Sequence, residues 1–239
     1  MSVSERRASA RTAVVWEALE PVLAGGPLDV LDIGGGTGGF AVRVAELGHR
    51  VTVVDPSPDA LAALARRARE AGVEVAGVQG DVSSLLEVAA PGGADVVLCH
   101  GVLEVVDDPA AATTTIREVL RPGGTLSLLV AQRHAAVVAR AMAGHFAQAL
   151  ELLDPSSSAA GQSRTGHRFT SAELTTLLAD AGLEVVSVHG VRVFADLVPG
   201  SLLDLEPGAA GALVELERAV SDRAEYLPLA TQVHVLATA

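Results

Sequence analysis

Short apolar runs rich in Val, Leu and Ile alternate with amphipathic stretches over residues 11–130, joined by brief polar connections. Runs that are apolar on both pleated faces belong to strands covered on both sides, the habit of parallel sheets. They predict strands at Asp29 to Ile33, Arg50 to Val54, Val73 to Val78, Ala94 to Cys99 and Thr125 to Val130. Between them, a helical period predicts helices at Arg11 to Leu23, Gly39 to Leu47, Pro56 to Ala71 and Pro109 to Leu120. In the first helix Val14, Val15, Leu19, Val22 and Leu23 form one stripe, with Trp16 beside it. Gly48 and Gly72 stand where helices stop, and Arg121-Pro122-Gly123-Gly124 reads as a tight turn without chemistry.

The pattern changes after Ala131. His134 to Leu152 reads as one helix and Asp154 to Gly166 as a polar loop. Thr170 to Ala181 follows as a helix with Thr170 as N-cap and Glu173 at capping-box spacing. Leu183 to Val193 and Thr231 to Ala237 read as late strands. The expectation is a single domain over residues 1–239, with a core at about 28–130 and 182–239 and a substrate cap at about 131–170.

Composition narrows the class. The chain is 49% hydrophobic, which opposes disorder. No apolar run approaches a membrane span, and the polar start Met1 to Arg11 lacks the core of a leader peptide, so a cytoplasmic enzyme is expected. The single Cys99 excludes an internal disulfide and a thiolate-cluster metal site, and is expected to be buried. All 17 basic residues are Arg, which removes Schiff-base chemistry and a P-loop lysine. A net charge of −12 opposes long-range attraction to nucleic acid. His134, His145, His167 and His189 have no metal-ligand spacing, and no metal is expected.

The chemistry begins at Val30-Leu31-Asp32-Ile33-Gly34-Gly35-Gly36-Thr37-Gly38, a strand ending in a glycine turn that opens a helix. Glycines let a ligand approach the backbone, and the helix start presents unpaired N–H groups there. Asp55, followed by Pro56, ends the next strand, where a carboxylate suits a ribose diol. Asp81 ends the third and could accept from an adenine amine while the Asp81-Val82 backbone reads the ring edge. Asp32 would attract a cationic amino-acid tail and repel a pyrophosphate, which separates S-adenosylmethionine from NAD. Structural alternatives stay open at each point: a bare turn for the glycines, and caps or turns for Asp55 and Asp81. Two other classes also stay open, an NAD-linked oxidoreductase and a non-catalytic nucleoside-binding domain.

Together Asp32 to Gly38, Asp55, Gly80-Asp81 and Leu120 to Gly124 resemble the class I S-adenosylmethionine-dependent methyltransferases over about residues 28–130. The resemblance implies a doubly wound, Rossmann-like, seven-stranded and mostly parallel sheet, with an antiparallel last hairpin, helices on both faces and a small helical cap. It implies methyl transfer from S-adenosylmethionine, leaving S-adenosylhomocysteine. Cofactor contacts would come from Asp32, Gly34, Gly35, Gly36, Gly38, Asp55, Pro56, Asp81, Val82 and His100. His100, ending the fourth strand, is the candidate base if the acceptor must lose a proton, and otherwise a cofactor-contacting histidine; Glu104 is a weaker candidate.

Further matches resemble a narrower group, the bacterial tRNA 5-carboxymethoxyuridine methyltransferases, which esterify a carboxylate on a wobble uridine. They are Arg11 with Trp16, His100 to Glu104, Gly144-His145-Phe146, Gly190 to Phe194, Glu225-Tyr226 and His234-Val235. The resemblance places Arg11 against the methionine carboxylate of the cofactor. The departures are a neutral Asp154 to Gly161 loop and no basic residue after Arg223. Only Arg133, Arg140, Arg164, Arg168 and Arg192 remain as acceptor-side cations, too few for an RNA track. The expected acceptor is therefore a small molecule, with tRNA as the alternative. Candidate acceptor residues are His145, Arg168, Arg192 and Tyr226.

Overall fold

The structure, a computed structural model, describes residues 12–153, 166–205 and 208–239. Seven strands form one sheet in the order β3-β2-β1-β4-β5-β7-β6. They are β1 (Asp29–Ile33), β2 (Arg50–Asp55), β3 (Ala76–Gln79), β4 (Ala94–His100), β5 (Leu120–Ala131), β6 (Glu184–Val191) and β7 (Gln232–Thr238). Strands β3, β2, β1, β4 and β5 pair in parallel. Strand β7 runs the other way: Gly123 donates to Ala239 O at one end of its pairing with β5, and Gln132 donates to Thr231 O at the other. This is the mostly parallel sheet with an antiparallel last hairpin that the sequence predicts.

The chain divides into two compact units. One comprises Leu19–Leu129, Thr175–Ser187 and Val235–Ala239. Its heart is β1 between β2 and β4, where Val30, Leu31 and Ile33 are buried along with Val53, Val54, Val97 and Leu98. Each such side chain contributes about 1.5–3 kcal/mol on leaving water. Helix α2 (Ala41–Glu46) packs on β2, and α3 (Pro58–Ala71) packs on β3 and β2. The start of α3 is set by Ser57, whose Oγ accepts from Ala60 N at 3.2 Å, with Pro58 in the first turn. Its end is set by Gly72 at φ 70°, and Val73 N–H returns to Ala68 O. That closure holds residue 73 in the helix cap, so β3 starts at Ala76 and not at Val73. At the N-terminal end of the strands Arg121 bridges Asp29 (2.8 Å) and Asp95, while Arg50 also meets Asp29 (2.6 Å). Hydrogen bonds from the two guanidinium groups hold the Asp29 carboxyl down at about 2. The expected tight turn at 121–124 instead lies inside β5, which starts at Leu120, and forms an irregularity in its pairing with β4.

The other unit holds the described part of 1–18, Val130–Leu174 and Val188–His234. Helix α1 spans residues 12–19; Arg11 lies outside the described residues. The expected helix from His134 to Leu152 is two helices, α6 (Arg133–Met142) and α7 (Phe146–Leu153). They part at Gly144, which takes φ 77° while His145 N–H closes back on Arg140 O. The Asp154 to Gly161 loop and Arg164 lie outside the described residues. Thr170 caps α8 (Ser171–Asp180): Glu173 N donates to its Oγ1 at 3.2 Å and Thr170 N to Glu173 Oε2 at 2.8 Å, the expected reciprocal box. Helix α10 (Ala209–Val220), after the short α9 (Gly200–Leu205), was not legible in the apolar pattern. Elsewhere α4 (Leu85–Val88) follows a 3-10 turn, and α5 (Pro109–Val119) precedes β5.

Candidate functional site

The loop from β1 to α2 is built around its glycines. Gly34, Gly36 and Gly38 take φ of 67°, 54° and 79°, values that side chains disfavour. A Cβ at Gly34 would stand 2.6 Å from Val102 Cγ2, and one at Gly38 would strike the fully buried Leu64. Gly35 has ordinary φ, but its Cβ would overlap the Asp32 carboxyl lying against the turn. The turn is tied to the sheet by Gly34 N–H to Val54 O at 2.7 Å.

Asp55 completes that tie. Its Oδ2 accepts from Gly36 N at 2.9 Å and its Oδ1 from Ser57 N at 2.9 Å, so one carboxylate holds the glycine turn and the approach to α3. Each oxygen has a second lone pair, which leaves bidentate acceptance of a diol geometrically open. Pro56, next in the chain, is exposed.

Asp32 differs in kind. It is 3% exposed, and its Oδ2 has no hydrogen-bond partner in the protein. Burial, and secondarily the charge of Asp55, lift its carboxyl to about 7. A buried carboxylate without a counter-charge against a glycine cradle is a fitting partner for a ligand ammonium. Asp81 is exposed and caps the 3-10 turn Val82–Ser84, all its bonds going to Oδ1: from Ser83 N (2.8 Å), Ser83 Oγ (2.6 Å) and Ser84 N (3.3 Å). Bonds from Ser83 lower its pKa, and Val82 is buried. Capping and ligand contact are compatible at Asp81, because Oδ2 takes no part in the cap.

His100 ends β4. Its Nε2 shares a hydrogen bond of 2.9 Å with the buried Ser127 Oγ, and its ring meets Phe40 edge-on at 4.8 Å. Burial pushes the imidazole down to about 4, so it is neutral at physiological pH. Ser127 and Phe40 belong to this constellation and were not singled out in the sequence; Val102 entered only within the His100 to Glu104 match. Only Ser127 left a trace, as one hydroxyl inside the apolar β5 run. Cys99, beside His100, is buried as expected, and burial raises its thiol pKa.

All these residues lie in the first unit. The described chain in matching families points the same way. The family profile described as a methyltransferase domain matches residues 30–124. A tRNA 5-carboxymethoxyuridine methyltransferase of Escherichia coli (strain K12) is 33% identical over 95% of this chain and 87% of its own length. The chain belongs to the S-adenosylmethionine-dependent methyltransferases.

Other relatives of this methyltransferase agree. A ubiquinone biosynthesis O-methyltransferase of Xanthomonas euvesicatoria is 34% identical over 68% of this chain and 65% of its own. A methyltransferase from Methanosarcina mazei shares the fold at TM-score 0.63 and 19% identity, over 92% of this chain and 96% of that one. The magnesium protoporphyrin IX methyltransferase of Synechocystis, solved with bound S-adenosylhomocysteine, does so at TM-score 0.61 and 16% identity, over 97% and 82%. The enzyme thus uses S-adenosylmethionine, and the oxidoreductase and non-catalytic alternatives fall away.

The acceptor-side candidates all lie in the second unit. His145 is exposed at the α6–α7 junction. Arg168 has a buried Nε without a partner, and its carbonyl accepts from Arg133 Nη2 at 2.9 Å. Arg192 pairs with Asp196 through Nη2 and reaches Gln232 Oε1 at 3.3 Å through Nη1. Tyr226 packs half-buried with Phe194 against Val193, Val220 and Ala230. Tyr226 therefore packs against Val193, the residue after Arg192, whereas no described contact joins His145 to either. Among the described residues no group of three or more His, Cys, Asp or Glu could hold a metal.

Proposed function

We propose that the methyltransferase binds its cofactor at the glycine turn. Asp55 accepts the ribose hydroxyls, Asp81 with the backbone of Val82 takes the adenine edge, and Asp32 takes the ammonium. Gly34, Gly35, Gly36 and Gly38 allow close approach. The observation that carries this reading is the orphaned, buried Oδ2 of Asp32 against the turn. The bound cofactor supplies a methyl group on an electrophilic sulfonium. The chain's own work is then mainly positioning. His100, neutral and fixed by Ser127, is a positioning group with a hydrogen-bonding edge; with a pKa near 4 it is a weak base. That suits an acceptor already carrying its lone pair, such as a carboxylate.

The proposed acceptor is a small molecule. Of the five arginines available on that side, Arg133 is paired with Glu173 (2.7 Å) and Arg192 with Asp196. In the same unit Arg218 is paired with Glu17. Cations already neutralised by carboxylates contribute little to phosphate binding, and a net charge of −12 opposes it further. The second reading is tRNA, favoured by the similarity to the Escherichia coli enzyme along 95% of the chain. The proposed setting is the cytoplasm; no helix among the described residues is long and apolar enough to cross a membrane. Residues 131–170 are proposed as the acceptor cap of one methyltransferase domain.

Incubation with labelled cofactor and two pools, total tRNA and a small-metabolite extract, separates the readings. Label is expected in the extract, and label in tRNA overturns the ranking. Esters are released by mild alkali, whereas N- or C-methyl products persist.

A further inference from the structure

Arg192 is the sole non-glycine residue with positive φ, 62°, among the described residues. A side chain held in that region marks a conformation that the surroundings over-determine, a habit of functional sites. The surroundings are explicit. Immediately after Arg192, three successive backbone N–H groups converge on one side chain of α10. Val193 N donates to Glu217 Oε2 at 2.9 Å, while Phe194 N and Ala195 N donate to Oε1 at 2.8 and 2.7 Å. Glu217 is 1% exposed, so this carboxylate left water to fill a backbone nest and does nothing else in the described contacts. On the other side Thr231 N–H donates to Arg192 O at 3.3 Å, and the Thr231 hydroxyl, 3.0 Å from Asp196 Oδ2 and 3.3 Å from Arg192 O, serves one of the two.

The guanidinium is equally constrained, with Asp196 on Nη2 and Gln232 on Nη1. Yet its Nε is buried and has no hydrogen-bond partner. A buried donor left open is costly unless something fills it. A turn fixed from three directions around an arginine with one N–H still to satisfy is an arrangement for an oxygen that arrives with a ligand.

We propose that Glu217 is a positioning residue for the acceptor: it locks the turn at residues 192–195 so that Arg192 presents its Nε–H to an anionic or carbonyl oxygen of the acceptor. This rests on reading Arg192 as an acceptor residue. Glu217→Gln puts an amide NH2 against a backbone N–H and breaks at least one of the three bonds, leaving the guanidinium in place but loosening the turn. Arg192→Lys keeps a charge for Asp196 and removes the Nε donor.

The experiment measures label transfer into the methylated pool for wild type, E217Q, R192K and the double variant, across a dilution series of that pool. R192K and E217Q are each expected to lower transfer about tenfold, chiefly by raising the half-saturating pool concentration. The double variant should be no worse than R192K, because Glu217 acts only through Arg192. Full loss from E217Q persisting in the R192K background, or no loss from E217Q alone, overturns the proposal. A second readout needs no acceptor: the Nε–H resonance of arginine-labelled protein that R192K deletes should shift in E217Q. An unmoved resonance removes the clamp itself, whereas a shifted resonance without methylation of either pool would leave the clamp standing and remove the acceptor reading.

Discussion

The two compact units leave opposite kinds of buried charged group open, a carboxylate oxygen in one and guanidinium donors in the other. In the unit built on β1 to β4, a carboxylate is buried with one oxygen unpartnered, and the glycine turn lies directly over it. In the unit that holds α10, several charges are matched within the protein, Arg133 with Glu173, Arg192 with Asp196, Arg218 with Glu17, and Glu217 with three backbone N–H groups, while the buried Nε donors of Arg168 and Arg192 stay open. An unmatched buried charge calls for a ligand of opposite sign, whereas matched charges fix geometry. The first unit's open carboxylate suits a cationic ligand group, and the second holds its arginines through fixed partners.

The largest expected effect breaks the first half of that contrast. Asp55→Ala removes the acceptor of Gly36 N–H and Ser57 N–H together with the proposed ribose contact. Calorimetry should show S-adenosylhomocysteine affinity lowered by about a hundredfold or more, with about 1–3 kcal/mol of stability lost in urea unfolding. Unchanged affinity would remove the ribose assignment.

Gly38→Ala is next. It forces a side chain to φ 79° and into Leu64, which is 1% exposed. Backbone and packing penalties together predict about 2–4 kcal/mol lost, read from the urea midpoint. A neutral result would mean that the turn relaxes freely and is no preformed cradle.

Asp32→Asn sharpens the contrast, because it should stabilise the free enzyme while weakening cofactor binding. The folded carboxyl pKa, about 7, lies above the ordinary value of 3.8, so the folded state binds the proton more tightly. This group's contribution is present at low pH and is lost as pH rises from about 4 to 7. His100, lowered from 6.5 to about 4, acts oppositely, and its contribution is lost as pH falls through the same window. The two trends offset each other in wild type. In the Asn variant stability should rise with pH between about 4 and 6.5, and at pH 8 exceed wild type by about 4 kcal/mol. A pH profile identical to wild type would contradict the buried-charge account.

The smallest effect belongs to the second unit. Arg218→Gln breaks an ion pair whose side chains are 49% and 44% exposed, so thermal unfolding should change by at most about 1 kcal/mol, with cofactor affinity intact.

What was legible in the sequence follows the same division. Glycines at forced backbone angles and two-face apolar strands write their conformations into residue type, so β1, β2, β4 and the glycine turn between β1 and α2 could be read directly. Helix α10 could not, because Glu217 interrupts the buried face marked by Leu213 and Val220. A carboxylate that serves backbone N–H groups looks in sequence like a solvated charge. The break at Gly144 was hidden because the apolar period runs on through it, and only the φ of 77° shows that the chain turns. Ion pairing also escapes the sequence: Arg192 and Asp196 are four apart, but nothing in their spacing reveals a non-helical turn.

The most direct test is titration of S-adenosylhomocysteine at pH 7 by calorimetry in buffers of different ionisation enthalpy. With the Asp32 carboxyl at about 7, half-protonated before binding and ionised against the ligand ammonium afterwards, roughly half a proton should be released per ligand bound. Asp32→Asn should abolish that release. A binding enthalpy independent of buffer in the wild type, or a proton release that survives the Asn substitution, would contradict the claim that this buried carboxylate receives the cofactor's charged tail.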